Sequence, residues 1–181
     1  LETAYRACLW SRTASRILMP IAQVPAQNAN AMYEGLKRID WSQHLSVNGT
    51  LVVDFQGTSS GVKHTQFGAL KTKDAIVDQF RDKFGERPSV NTEKPDVRIN
   101  VHAHREQATV SIDLSGDSLH RRGYRARGVA APLKENLAAA ILLRSGWPAL
   151  AASGATLIDP MCGSGTLVIE AALMACDIAP G

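Results

Sequence analysis

The amino-acid sequence predicts an α/β fold, and three observations carry the prediction. Apolar and polar residues alternate along 97–104 and again along 108–114, the period of half-buried strands. Along 65–84 the apolar residues recur at three- and four-residue spacings, the period of a helix with one buried face. A short apolar run at 155–159 turns through closely spaced glycines into another apolar stretch, a strand–turn–helix pattern.

The elements follow in chain order. Residues 5–18 read as a helix running towards Pro20, and 19–29, with Pro20 and Pro25, as a connector. A short helix over 30–38 puts Met32, Leu36 and Ile39 on one face, and Trp41–His44 leads to a turn at Asn48-Gly49. Thr50–Phe55 is a strand, ended by the small residues 57–61. The helix 65–84 is expected to bury Phe67, Leu70, Val77, Phe80 and Phe84, with Lys71, Lys73, Arg81 and Lys83 off that stripe. Gly85 closes it, and Pro88 and Pro95 mark a loop. Val97, Ile99, Val101 and Ala103 then face the same way as Ala108, Val110, Ile112 and Leu114, giving a hairpin with one dry face and a unit that ends near Gly116.

Beyond Gly116 the composition shifts. Residues 119–128 are basic and punctuated by glycine. An alanine-rich helix begins just after Pro132, which suits a first turn, and runs to about Arg144, where Gly146 and Pro148 end it. After a loop of small residues, Ala155–Asp159 reads as a buried strand, and Thr166 to about Cys176 as the helix that follows. The chain starts at Leu1 in what reads as mid-helix and stops at Gly181 just after another helix, so both ends are expected to be internal to something longer.

Composition narrows the function classes. With 45% hydrophobic and 20% charged residues the chain can bury a core. Its longest apolar run, Leu137–Leu143, is far shorter than the roughly 20 residues that span a bilayer. Glu2, Arg6, Arg12 and Arg16 interrupt the opening segment where a signal peptide would be apolar. Cys8, Cys162 and Cys176 form no C-x-x-C pair, and His102 and His104 simply alternate along a strand. That pattern predicts no metal site, no membrane partner and a cytoplasmic location. A net charge of +3 permits a nucleic-acid partner without requiring one.

The chemistry sits in Leu157-Ile158-Asp159-Pro160-Met161-Cys162-Gly163-Ser164-Gly165-Thr166. A glycine-rich turn into a helix lets a ligand approach the backbone and presents the helix's first amides. No lysine follows Gly165, so this is not a phosphate-binding P-loop. The dinucleotide fingerprint fails at Val168, and Asp159 would sit poorly beside a pyrophosphate. S-adenosylmethionine brings a cationic sulfonium and an ammonium, for which a carboxylate is welcome.

The string resembles motif I of the methyltransferases that act on amino groups of RNA guanine or DNA bases. Leu119-His120-Arg121-Arg122-Gly123-Tyr124-Arg125, followed by Ala131-Pro132-Leu133-Lys134-Glu135-Asn136-Leu137, is similar to the linker and first helix of the THUMP-domain guanine-N2 methyltransferases, bacterial 23S rRNA enzymes among them. The resemblance implies the end of a ferredoxin-like segment over 1–25, an α+β THUMP RNA-binding domain over 26–116, a basic linker over 117–131 and the start of a Rossmann-like methyltransferase domain over 132–181. It implies S-adenosyl-L-methionine held by Asp159, Pro160, Met161, Cys162, Gly163, Ser164, Gly165 and Thr166, with Lys134, Glu135 and Asn136 nearby. The Asn/Asp-Pro-Pro-Tyr/Phe motif that such enzymes use on the target base is absent, and catalytic residues are expected beyond Gly181. Structured RNA, 23S rRNA first, is the implied partner, with tRNA or a DNA amino group as alternatives. Lys63, His64, Lys71, Lys73, Arg121, Arg122, Arg125 and Arg127 are the candidate phosphate contacts.

Overall fold

The computed structural model describes residues 2–59, 61–125 and 132–181. The chain divides into two compact units, one of residues 18–114 and one of residues 1–17 with 115–181.

The 18–114 unit is a five-stranded mixed sheet backed by helices. In chain order it holds β1 (Leu18–Pro25), α1 (Ala29–Lys37), a 3-10 turn (Trp41–Gln43), β2 (Thr50–Ser59), α2 (Thr65–Phe84), β3 (Ser89–Val90), β4 (Val97–Arg105) and β5 (Gln107–Asp113). The strand order is β1-β5-β4-β2-β3. β2 runs parallel to β4 and β3, while β4–β5 and β5–β1 are antiparallel. The hairpin register opposes Val101 to Val110 and Ile99 to Ile112, as the alternation requires. Asn28 caps α1 by accepting from the Ala31 amide at 2.8 Å, and Gly85 closes α2 with φ +74°.

Four expectations are corrected here. The connector over 19–29 is in large part a strand: Leu18–Pro25 pairs with β5 as the sheet's edge. Pro20 is tolerated because it lies at an edge, where the register shifts between Pro20 and Ala22. The loop 85–95 contributes the short strand β3. The hairpin's polar face is not uniformly wet, since Asn100, Ser111 and Asp113 are buried. The buried face of α2 is also rotated from the expected stripe. It carries Gly68, Thr72, Ala75, Ile76, Val77, Gln79 and Phe80, whereas Phe67, Leu70 and Phe84 are about half exposed. The close approach of α2 to β2 explains the rotation: a Cβ at position 68 would lie 2.7 Å from the Phe55 ring, so only glycine lets the backbone sit there.

The core beneath is built from Met32, Leu36, Trp41, Leu51, Ile76, Phe80, Ile99, Val101 and Val110, all within 1% of full burial. Each large side chain there contributes roughly 1.5–3 kcal/mol of hydrophobic stabilisation. One polar group completes it. Gln79 accepts from the Trp41 amide at 3.1 Å and donates to the Lys37 and Ile39 carbonyls at 2.6 and 2.5 Å. It thereby satisfies the backbone between α1 and the 3-10 turn, while the Trp41 indole donates to the Leu36 carbonyl.

The other unit is helical: α3 (Glu2–Trp10), α4 (Glu135–Arg144), α5 (Trp147–Ala152) and α6 (Thr166–Ala175). The opening helix stops at Trp10, well before Pro20. α4 begins at Glu135, with Lys134 as its N-cap, so Pro132 precedes the helix. Pro148 does not end a helix but starts α5, in the first turn where its missing N–H costs nothing. Leu142, Trp147 and Ala171 form the centre of this unit, and the Trp147 indole donates to the Ala171 carbonyl at 2.9 Å.

Replacing Gln79 by leucine keeps its volume and strands three backbone groups in the core. The Gln79→Leu variant is expected to lose about 2–4 kcal/mol of stability. Urea unfolding of the protein checks this, and an unchanged midpoint would contradict it.

Candidate functional site

The 159–166 turn is an open cradle at the start of α6. Gly163 and Gly165 both have positive φ, +53° and +75°. A Cβ at Gly163 would meet nothing within 4 Å, so the space over the loop is clear. The loop holds its own shape. The Met161 amide donates to the Asp159 carboxylate at 3.1 Å, and the Gly165 amide donates to the Cys162 carbonyl at 2.8 Å. The Ser164 and Thr166 hydroxyls lie 3.1 Å apart. Met161, Cys162 and Gly163 are exposed, Asp159, Ser164 and Gly165 half-buried, and Thr166 buried. Pro160 is exposed beside them. Gly165 caps α6 without a side-chain bond, leaving the first-turn amides for a ligand.

The segment before the loop corrects the expectation of a buried strand. Residues 155–159 form neither helix nor strand and pair with no strand among the described residues, and Ile158 is 81% exposed. Apolar sequence makes a strand suitable for burial, but only neighbouring strands bury it.

The three residues at the start of α4 each have a place. Lys134 is exposed at the N-cap. Glu135 is buried and pairs with Arg125 at 3.3 Å. The Asn136 amide donates to the Thr13 carbonyl and the Ser15 hydroxyl at 3.3 and 3.0 Å.

The linker arginines divide. Arg121 is exposed. Arg122 is not: its side chain is 2% exposed, ion-paired with a fully buried Glu170 and donating to the Arg12 carbonyl. Tyr124 donates to the other oxygen of Glu170 at 2.7 Å. Burial first, and this bond second, push the Tyr124 hydroxyl well above its usual pKa, keeping it a proton donor. Arg125 is committed to Glu135 and to the Leu133 carbonyl. Of the candidate phosphate contacts, Arg122 and Arg125 are thus both paired with carboxylates within the unit. Arg127 lies outside the described residues.

In the 18–114 unit, Lys63 and His64 are exposed just ahead of α2 and line a shallow groove with Phe67 and Leu70. The Lys71 ammonium lies 4.8 Å from the centre of the Tyr33 ring, which donates its hydroxyl to Asp78 at 2.7 Å. Lys73 pairs with Asp74 at 2.6 Å. The half-exposed Phe67 and Leu70 are functional candidates that the periodicity hid, since it assigned both to the core. Glu170 was legible in principle: it is the lone charge in the apolar helix Thr166–Ala175. Among the described residues, no group of three or more His, Cys, Asp or Glu is placed to hold a metal, and no helix is long and apolar enough to cross a membrane.

Family models match residues 26–113 as a THUMP domain, 122–181 as an RMKL-like methyltransferase domain and 1–18 as an RlmL ferredoxin-like domain. Ribosomal RNA large subunit methyltransferase K/L of Syntrophotalea carbinolica is 61% identical over the whole chain, and that of Pseudomonas aeruginosa 59% over 99% of it. The chain spans about a quarter of the length of these curated relatives. Among solved structures, SMU.472, crystallised with SAH, superposes with a TM-score of 0.82 at 34% identity, over 99% of this chain and 47% of its own. A protein described from its sequence as an N6-adenine-specific DNA methylase, from Listeria monocytogenes str. 4b F2365, gives 0.83 at 31% identity, over 97% and 45%. Along its length the chain is thus similar to proteins that join a THUMP domain to an RMKL-like methyltransferase domain.

Proposed function

We propose that this chain is part of an S-adenosylmethionine-dependent enzyme of the cytoplasm that methylates the exocyclic N2 amine of a guanine in 23S rRNA. The observation that carries the reading is the open turn from Asp159 to Thr166, with clear space over Gly163 at an uncapped helix start. The names of the 59–61% identical relatives support the rRNA substrate, and the SAH in SMU.472 supports the cofactor.

The donor set fits that cofactor. Asp159 offers a half-buried carboxylate to cationic or hydroxyl groups, and the first-turn amides of 166–168 offer donors to a carboxylate. The small, exposed loop leaves room for a nucleoside beside them. When bound, S-adenosylmethionine supplies an electrophilic methyl on its sulfonium. The chain's own residues bind and orient, and positioning of the two reactants is a large part of the rate enhancement. The groups that grip the target amine belong to the Asn/Asp-Pro-Pro-Tyr/Phe motif proposed to follow Gly181.

RNA capture falls to the 18–114 unit in this reading. Lys63 and Lys71 supply charge, and His64 a hydrogen-bonding ring, beside the half-exposed Phe67 and Leu70. Arg121 adds an exposed cation in the linker.

Two measurements test the reading. The full-length enzyme, given methyl-labelled S-adenosylmethionine and separate pools of unmodified 23S rRNA, tRNA and duplex DNA, is expected to label 23S rRNA as N2-methylguanosine. Label in tRNA alone would move the substrate, and label in DNA alone would sink the RNA reading. For capture, Lys63→Ala and Lys71→Ala should each lower the salt dependence of rRNA binding by about one counterion. Lys73→Ala, whose ammonium already pairs with Asp74, should change it less.

A further inference from the structure

We propose that Arg122 and Tyr124 of the basic linker are positioning residues for the cofactor loop, acting on it through the buried carboxylate of Glu170. This rests on the reading of the 159–166 turn as the cofactor site.

The geometry points inward at every step. Glu170 is 0% exposed on an otherwise uncharged helix, a placement that is costly for a bare carboxylate. Both of its oxygens are used, one by the Arg122 guanidinium and one by the Tyr124 hydroxyl. Two linker side chains, two residues apart, thus converge on one point of α6. Arg122 also donates to the Arg12 carbonyl, and Arg12 reaches back to the segment just after the same helix, donating to the Ile178 carbonyl at 2.8 Å. α6 is gripped at its middle and beyond its C-terminus by groups more than 45 residues away in sequence. Arg125 repeats the device on α4 through Glu135, in that helix's first turn.

Glu170 lies four residues beyond Thr166, one helical turn or about 6 Å along the axis. A helix is stiff over that length, so fixing the Glu170 carboxylate fixes the direction in which the first-turn amides and the 163–165 backbone point. Stability alone does not explain the choice. A buried ion pair is often no more stabilising than apolar side chains of the same volume, whereas its bonds are directional. What the pair adds over a methionine pair is orientation.

The test uses the full-length enzyme and two variants, Arg122→Met/Glu170→Met and Tyr124→Phe. Calorimetry reads the affinity for SAH, thermal unfolding reads stability, and rRNA binding is measured across salt. The double variant is expected to keep a near-native Tm and yet bind SAH about tenfold more weakly, since small misplacements of a binding group are costly. Tyr124→Phe, which loses a single hydroxyl and folds in the same shape, is expected to weaken SAH by several-fold while the rRNA salt slope stays at the wild-type value in both variants. Wild-type SAH affinity in either folded variant would overturn the proposal. So would a salt slope lowered by about one in the double variant with SAH affinity intact, which would make Arg122 a phosphate ligand instead. Absence of SAH binding by the wild-type enzyme would overturn the cofactor reading itself, and the proposal with it.

Discussion

The unit that carries the 159–166 turn depends on one buried charge. Glu170 can occupy an apolar helix only because Arg122 and Tyr124 meet its two oxygens, and neither partner is local in sequence. The same constraint draws the opening segment in: the Arg12 carbonyl takes a bond from Arg122, and the Arg12 guanidinium bonds the backbone after α6. Residues 1–17 therefore fold with 115–181 although a whole second unit is inserted between them. Removing one member of such a network leaves the rest buried and unpaired, which is why the three must be considered together.

The 18–114 unit solves its problem differently. There the core is mainly apolar, and Gln79, a polar side chain buried in it, works on backbone rather than on charge. Its carboxamide closes the gap between α1 and the 3-10 turn, so the tight packing of Trp41 costs no unsatisfied amide. Gly68 sets the depth of α2 on the sheet, and in doing so turns Phe67 and Leu70 outward. A packing constraint inside the unit thus creates the apolar lining beside Lys63 and His64 outside it.

Local physics was legible in the sequence where it acts alone. The extent of α2, its closure at Gly85 and the hairpin register all follow from period and turn chemistry. The glycine turn ahead of the Thr166 helix was legible because its spacing is distinctive. What escaped depends on distant partners. Pro20 and Pro25 read as a connector because their pairing with β5 lies about 90 residues away. Residues 155–159 read as buried because apolarity states a preference, and only neighbouring strands satisfy it. Phe67 and Leu70 fit one helical stripe as well as Gly68 and Thr72 fit the next, and the Phe55 ring decided between them. Arg122 and Arg125 advertised charge, but not the carboxylates waiting at Glu170 and Glu135.

The central claim is that the turn between Asp159 and Thr166 is where the cofactor sits. Hydrogen exchange of the full-length enzyme, read amide by amide with and without SAH, addresses it directly. Slowed exchange concentrated in the amides of 166–168 is the predicted result, because the start of α6 has no side-chain cap and those first-turn donors face the turn. Protection elsewhere with these amides unchanged would contradict it and place the cofactor on another part of the protein.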